Sequence, residues 1–516
     1  MAQAVFRKEM ISKGPKKISV GKHLLDILTT GMYSDPLMVL REYVQNATDS
    51  IEVAIRRKKL LPEDARIDIV VDGAYRTLSV EDNGNGIIFS DVEALLCNIG
   101  ESEKAGQDLR GFRGIGRLGG LGYCERLEFL TRSNSKEPIT RVSWNGELLR
   151  SHLLNKDERE SITQLLSKCV NIDYDKPNNE TPVSFFKVVM YGVYAFHKDE
   201  LCNPNSIDRY LSRVAPVPYN PKMFKFTNRI EDHINGFGGY LSLNIMLNGE
   251  PLYRPYRNSF NIRKGLVDTI QDIELIESTN SDGTCILKGW FAKTQYLASL
   301  PIDETMRGLS VRQGNIEVGN HFFLSEYFTE SRFATWHIGE LHVSYALKPN
   351  ARRDGFESTP AYERFLEYST LLCGSLSKAC RSSSKIRCSQ SISESKLQNI
   401  ENRISEPIFV NEDQYLLFRE NALTTLINIE ENIGVINQNN EFVSRILNAK
   451  QKLTSGEFSP IYLNRALDGR KLKRKNPINL LKDLSISIAQ EYASASNAEE
   501  LLKKVLFPYM KGFGAS

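Results

Sequence analysis

Between Leu40 and Asp49 the chain reads Leu-Arg-Glu-Tyr-Val-Gln-Asn-Ala-Thr-Asp, and no other stretch restricts its surroundings as much. Glu42, Asn46 and Asp49 stand at i, i+4 and i+7, so a helix presents all three on one face. Leu40, Val44, Ala47, Ile51 and Ala54 can cover a core on the other side. Ser34-Asp35-Pro36 precedes the stretch. Ser or Asp can cap and Pro suits a first turn, so the pattern predicts a helix over 37–58. A carboxylate, an amide oxygen and a second carboxylate in a row suit a hydrated Mg²⁺, which prefers oxygen ligands and keeps several waters. One of the carboxylates could also polarise an attacking water. A solvated helix face can show the same triplet, so its meaning depends on the segments downstream of it.

Two glycine loops come next in order. Short strands are expected over 66–71 and 77–81, divided by a turn at Asp72-Gly73. Val80-Glu-Asp-Asn-Gly-Asn-Gly-Ile87 then sets Asp82 ahead of Gly84 and Gly86. The glycines let backbone approach a flat ligand closely, and the Asp82 carboxylate can accept from an exocyclic amine. Gly111-Phe-Arg-Gly-Ile-Gly116, continuing to Gly119 and Gly120, is the kind of cluster whose N–H groups cradle phosphates. Either loop alone is also what an ordinary turn looks like; the order and spacing of all three elements carry the signal.

The remaining chain is organised around this region. Its 516 residues predict several domains in an α+β fold. Lys and Arg number 66 against 63 Asp and Glu, so any nucleic-acid surface must be local. Eight scattered cysteines with no CxxC pair point to reduced thiols. No secretory segment and no run of roughly 18 apolar residues is visible, so a cytoplasmic protein off the membrane is expected. Strands are expected over 126–131 and 183–190. A second strand-rich region covers 241–247, 284–291, 309–311 and 340–343. The Ser-rich, basic stretch 374–395 reads as a linker, and helices are expected over 413–453 and 478–504. The domains expected are 1–235, 236–360 and a mainly helical 361–516.

Taken together, Glu42/Asn46/Asp49, Asp82-x-Gly84-x-Gly86 and Gly111-x-x-Gly114-x-Gly116 resemble the Bergerat ATP-binding fold of the GHKL superfamily. That superfamily includes gyrase, the ninety-kilodalton heat-shock chaperones, histidine kinases and MutL. Thr181, after Glu180 where Gly is usual, resembles the threonine that closes the adenine pocket. The heat-shock chaperones are the nearest likeness. Gly31-Met-Tyr-Ser34 before Leu40-Arg41-Glu42 reads like the start of their nucleotide-domain helix, and Asn98-Ile-Gly-Glu-Ser102 looks like the start of their lid. Pro349-Asn-Ala-Arg-Arg-Asp-Gly-Phe356 is similar to their loop that sends an arginine to the ATP γ-phosphate.

The resemblance implies a Bergerat-type α/β sandwich, a middle α+β domain and a helical C-terminal region. It implies ATP and Mg²⁺ as ligands, Glu42 as general base, Asn46 on the metal, and Asp49, Asp82, Gly84, Gly86, Asn98, Gly111, Gly114, Gly116 and Thr181 around the nucleotide. Arg353, beside Asn350, would supply the catalytic arginine. The function expected is an ATP-hydrolysing conformational clamp, acting as a homodimer on a protein client or operon partner. The alternative is a clamp on nucleic acid of MutL or MORC type, with bacterial defence as one setting, gripping phosphates through Arg470-Lys-Leu-Lys-Arg-Lys475. A histidine kinase is disfavoured, because His23 is the only histidine upstream of the pocket and lies too close to its helix.

Overall fold

A computed structural model of the 516-residue chain describes residues 35–97, 116–154, 167–195, 198–280, 282–350, 353–409, 411–431, 440–455 and 458–462. Two compact units divide it, Met1–Arg381 and Ser382–Ser516. In the first, the expected helix is α1 (Met38–Arg56). The Leu37 N–H donates to Asp35 Oδ1 at 2.9 Å, so Asp35 supplies the turn ahead of the helix. Val39, Leu40, Tyr43, Val44, Ala47, Ile51 and Ala54 are all buried, and this apolar stripe docks α1 on a sheet.

That sheet has eight strands: β1 (Arg66–Asp72), β2 (Thr77–Asp82), β3 (Cys124–Arg132), β4 (Ile139–Asn145), β5 (Val170–Asp175), β6 (Phe185–Val193), β7 (Asn244–Leu247) and β8 (Glu250–Pro251). Their order is β5-β4-β3-β6-β2-β1-β7-β8, antiparallel except where β7 runs beside β1. Ile67, Ile69, Leu78, Val80, Phe129, Val188 and Met190 join Leu40, Val44 and Ile51 in one core. Alternate residues of β1 and β2 face it, as the period of two requires. The strand expected to open the second region is β7, and it belongs to this first sheet. Arg66 pairs with Asn244 and Ile69 with Leu247, because Leu243, Ile245 and Leu247 bury in the core that holds Ile67 and Ile69. Helix α2 (Pro204–Val214) lies in the same layer, burying Ile207, Leu211 and Val214.

The second sheet is built from β11 (Asp272–Thr279), β12 (Cys285–Lys293), β13 (Gly308–Gln313), β14 (Ile316–Val318) and β15 (Ile338–Val343), after a hairpin β9 (Ser259–Arg263) and β10 (Leu266–Thr269). Its order is β11-β12-β15-β13-β14, with β13 and β15 parallel. Every residue of β13 and β15 is buried, so these central strands show continuous runs instead of alternation.

A knot of charge lies inside this sheet. The Glu340 carboxylate is fully buried and accepts from Arg254 Nη1 and Arg312 Nε, each at 2.8 Å. Tyr219 Oη donates to it at 2.5 Å and Tyr256 Oη at 3.0 Å. Burial alone would push the Glu340 carboxyl up; the two guanidiniums outweigh it and hold it well below the usual carboxylate range. Because removing one partner strands buried charge, Glu340→Ala is expected to lower the urea-unfolding free energy by about 3–5 kcal/mol.

The stretch 374–395 is helix and no linker. It lies within α3 (Pro360–Ser405). The serines fold back on it: Ser375 Oγ donates to the Leu372 carbonyl and Ser377 Oγ to the Cys373 carbonyl, each at 2.7 Å. Phe365, Leu372, Cys373, Leu376 and Cys380 bury one stripe of it in the second sheet's core. In the second unit, the span expected as one helix is described as α4 (Glu412–Glu431) and α5 (Asn440–Thr454). Ala422, Leu426 and Ile429 are buried there, while Leu416, Leu417 and Ile427 face solvent. No helix among the described residues is long and apolar enough to cross a membrane. The basic run 470–475 and the helix expected over 478–504 lie outside the described residues.

Candidate active site

The polar face of α1 forms one wall. Glu42, Asn46 and Asp49 are half-buried, at the rim of a helix whose other face is core. A tight 3₁₀ segment, Gly116–Gly122, closes over it. A Cβ on Gly116 would stand 2.7 Å from Glu42 Oε2, so a side chain here would push the carboxylate aside. The Gly120 N–H donates to Tyr43 Oη at 3.0 Å and fastens the segment to the same helix. Asn98, Gly111 and Gly114 lie outside the described residues.

Asp82, at the end of β2, forms the floor. It is 2% exposed, and its Oδ1 accepts from Ser50 Oγ and from the Gly84 N–H, each at 2.9 Å. Gly86 has φ +62°, and a Cβ there would lie 2.0 Å from the Arg132 carbonyl oxygen. The loop is therefore glycine-dependent on conformation and on space. Thr131 Oγ1 accepts from the Ile87 N–H at 2.9 Å and donates to the Phe185 carbonyl at 3.0 Å. Ser184 Oγ donates to the Gly84 carbonyl at 2.8 Å.

Ser50, Thr131 and Ser184 are hydroxyl partners of this loop that the sequence does not single out. For Ser184 a signal exists: it directly precedes β6, whose Phe186 pairs with Asp82. Thr181, three residues earlier, sits in an exposed turn, its hydroxyl donating to Asn178 Oδ1 at 2.7 Å and accepting from the Asn178 N–H at 3.0 Å.

The two carboxyls are tuned in the same direction by their surroundings. Burial pushes Asp82 up to about 7, against the lowering effect of the Gly84 N–H and the Ser50 hydroxyl. Burial also raises Glu42, and the charges of Arg353 and Arg41 oppose the rise. A carboxylate raised from its ordinary value and still next to cations has the properties of a general base.

Arg353 reaches this place from the loop after β15. Pro349 and Phe356 pair across the loop's base. The Asn350 N–H donates to the Gly355 carbonyl at 2.9 Å, and Asn350 Nδ2 donates to Asp354 Oδ1 at 2.6 Å. At the tip Arg353 adopts φ +52°, a left-handed conformation that costs a non-glycine residue of order 1 kcal/mol and is held here by its neighbours. Its N–H donates to the Asn350 carbonyl at 3.0 Å, and its own carbonyl accepts from the Gly319 N–H at 2.8 Å. The arginine is 6% exposed. The fold thus brings Glu42, Arg41, Gly116 and Arg353 to one site and places Asp82 with Gly84 and Gly86 on the far half of α1.

Comparison with known proteins agrees in location. Residues 33–171 match the family described as histidine kinase-, DNA gyrase B-, and HSP90-like ATPases. The chain is 32% identical over 146 residues to the chaperone protein HtpG of Mycolicibacterium gilvum, covering 24% of this chain and 22% of that protein. It is 30% identical over 146 residues to HtpG of Mycobacterium tuberculosis, covering 24% and 23%. Against HtpG of Mycobacterium avium it is 30% identical over 149 residues, with the same coverage. The matched region is thus less than a quarter of each relative's length.

Proposed function

We propose that this chain, whose residues 33–171 form an ATPase domain of the histidine kinase, gyrase B and HSP90-like family, is an ATP-driven conformational clamp of the chaperone type. The observation that carries the proposal is that Arg353, buried in a loop of the second sheet's module, lies near enough for its charge to act on the Glu42 carboxyl of α1. Hydrolysis chemistry divided between two modules makes turnover depend on how they are held, which is what a clamp needs.

The residues suit the ligands. Asp82 would accept the adenine amine at the floor. Gly84, Gly86 and Gly116 let the backbone pack against the Ser50 hydroxyl, the Arg132 carbonyl and the Glu42 carboxylate, where a Cβ would collide. Among the described residues no group of three His, Cys, Asp or Glu is placed to hold a metal. A Mg²⁺ would rest on Asn46, as the family resemblance implies, with phosphate oxygens and water, and would neutralise phosphate charge. Glu42 takes the proton of the attacking water, and Arg353 meets the charge that develops on the phosphoryl group.

Arg353→Ala is accordingly expected to slow ATP turnover by about 10³-fold or more, with nucleotide affinity within about twofold of native. Phosphate release and analogue binding, measured on the full chain, check both halves of that expectation. Loss of binding with turnover per bound nucleotide intact would move Arg353 to a ground-state role. We take the active form as a cytoplasmic homodimer working on a protein client or operon partner. Solution mass with and without a non-hydrolysable analogue tests the dimer. Duplex DNA added to the turnover assay at low and moderate salt tests the client class: salt-sensitive stimulation would replace the protein clamp with a nucleic-acid clamp.

A further inference from the structure

The arginine loop rests on a seat of its own. The Gly319 N–H that holds the Arg353 carbonyl directly follows β14. The middle residue of that three-residue strand, Glu317, has a side chain only 2% exposed. Its Oε1 accepts from Ser310 Oγ at 2.8 Å and lies 3.4 Å from Arg213 Nη2. Arg213 stands in the last turn of α2, and its guanidinium also meets His321 Nδ1, two residues beyond Gly319. The carbonyl of Arg213 accepts from the Arg312 guanidinium on β13.

The two ends of this contact belong to different cores. Ile207, Leu211 and Val214 of α2 pack in the core of the first sheet, with Tyr210 against it. Val318, next to Glu317, packs in the core of the second sheet. Arg213 and Glu317 therefore join the nucleotide module to β14, and Gly319 just beyond that strand hydrogen-bonds to the arginine loop. The link from Glu317 to the site runs along its own strand, through Val318 to the Gly319 N–H that holds the Arg353 carbonyl.

We infer that the Arg213–Glu317 pair is a positioning clasp that seats Arg353 against Glu42. The clasp presupposes that Arg353 is the catalytic arginine proposed for this site. A buried carboxylate with one hydroxyl and one guanidinium partner fixes distance and direction together, and misplacing a catalytic group by a fraction of an ångström slows chemistry without weakening ground-state binding.

The test uses the full chain with Glu317→Gln, Arg213→Met, Arg213→Lys, Arg353→Ala and Ser310→Ala, and Glu317→Gln combined with Arg353→Ala. Glu317→Gln and Arg213→Met should each lower kcat about tenfold while analogue affinity stays within about twofold, the signature of lost positioning. Arg213→Lys should recover part of the rate. Glu317→Gln should cost nothing further in the Arg353→Ala background, because both changes remove one group from one place. Ser310→Ala, which removes only the hydroxyl bond to Glu317, should show a smaller loss of the same kind and keeps the test open if the charged variants fail to fold. Native kcat in Glu317→Gln or Ser310→Ala, or losses that multiply fully with Arg353→Ala, overturn the clasp and leave the arginine's catalytic role standing. A native rate in Arg353→Ala removes that role and the clasp with it.

Discussion

Glu42→Ala is expected to reduce ATP turnover by about 10²–10³-fold or more while leaving nucleotide affinity within about twofold of native. The carboxylate faces the Gly116 backbone and the charges of Arg353 and Arg41, and Asp82, the proposed adenine acceptor, bonds to Ser50 further along α1. Removing it takes away the acceptor for the water's proton and little of the binding surface. Single-turnover phosphate release beside calorimetric binding of a non-hydrolysable analogue measures the two quantities separately. A native rate in this variant would remove Glu42 from the chemistry.

The pH dependence has a definite sign. A general base must be ionised, and burial raises the Glu42 carboxyl, so turnover falls on acidification at a higher pH than an ordinary carboxylate would give. Arg353 is the first of the two cations that oppose the rise. In Arg353→Ala the acidic limb of the remaining rate should therefore move further up in pH.

Asp82→Asn is expected to have opposite effects on binding and on stability. The variant loses the carboxylate that would accept the adenine amine, and affinity should fall by about 30-fold or more, the scale for leaving a buried donor without its charged acceptor. The empty protein, however, should become more stable. The folded Asp82 carboxyl is raised from 3.8 to about 7. As pH rises from about 4 to about 7, the unfolded chain releases this proton and the folded chain keeps it, so each pH unit removes up to roughly 1.4 kcal/mol of stability. The loss levels off once pH exceeds the folded value. Asn carries no such linkage, so Asp82→Asn should gain about 1–3 kcal/mol over native near pH 8, with the gain vanishing near pH 4. Thermal unfolding at the two pH values without nucleotide reads the difference directly. A variant less stable than native at pH 8 would contradict the assignment of a buried carboxyl raised to about 7 at the floor.

The amphipathic stripe of α1 is legible in the sequence because buried and polar positions repeat at helical spacing and Asp35 marks its start. The strands β1, β2 and β15 are legible for similarly local reasons. Stretch 374–395 misleads because serine composition suggests a chain that bonds to water, whereas here Ser375 and Ser377 bond to their own helix and Phe365, Leu372 and Leu376 bury its other face. The apolar residues of α4 are plain in the sequence, but which of them face inward depends on what packs against the helix; Leu426 is buried and Leu417 is not. Strand β7 pairs outside its expected region for a related reason: an apolar strand carries no mark of its partner.

Within the site, Glu42, Asn46, Asp82 and the glycines can be named from spacing, since close backbone approach and one-sided helical polarity are properties of short segments. Ser50 and Thr131 cannot, because each acquires its role only when α1 and β3 are laid beside the Asp82 loop. Arg353 can be named from its loop, yet its electrostatic reach to Glu42 exists only through the docking of the second sheet's module on the first. Local spacing determined which groups this protein brings to the candidate site. Tertiary packing decided which of them meet, because distance and desolvation, the quantities that set a carboxyl's basicity and a cation's reach, are shared between segments far apart in the chain.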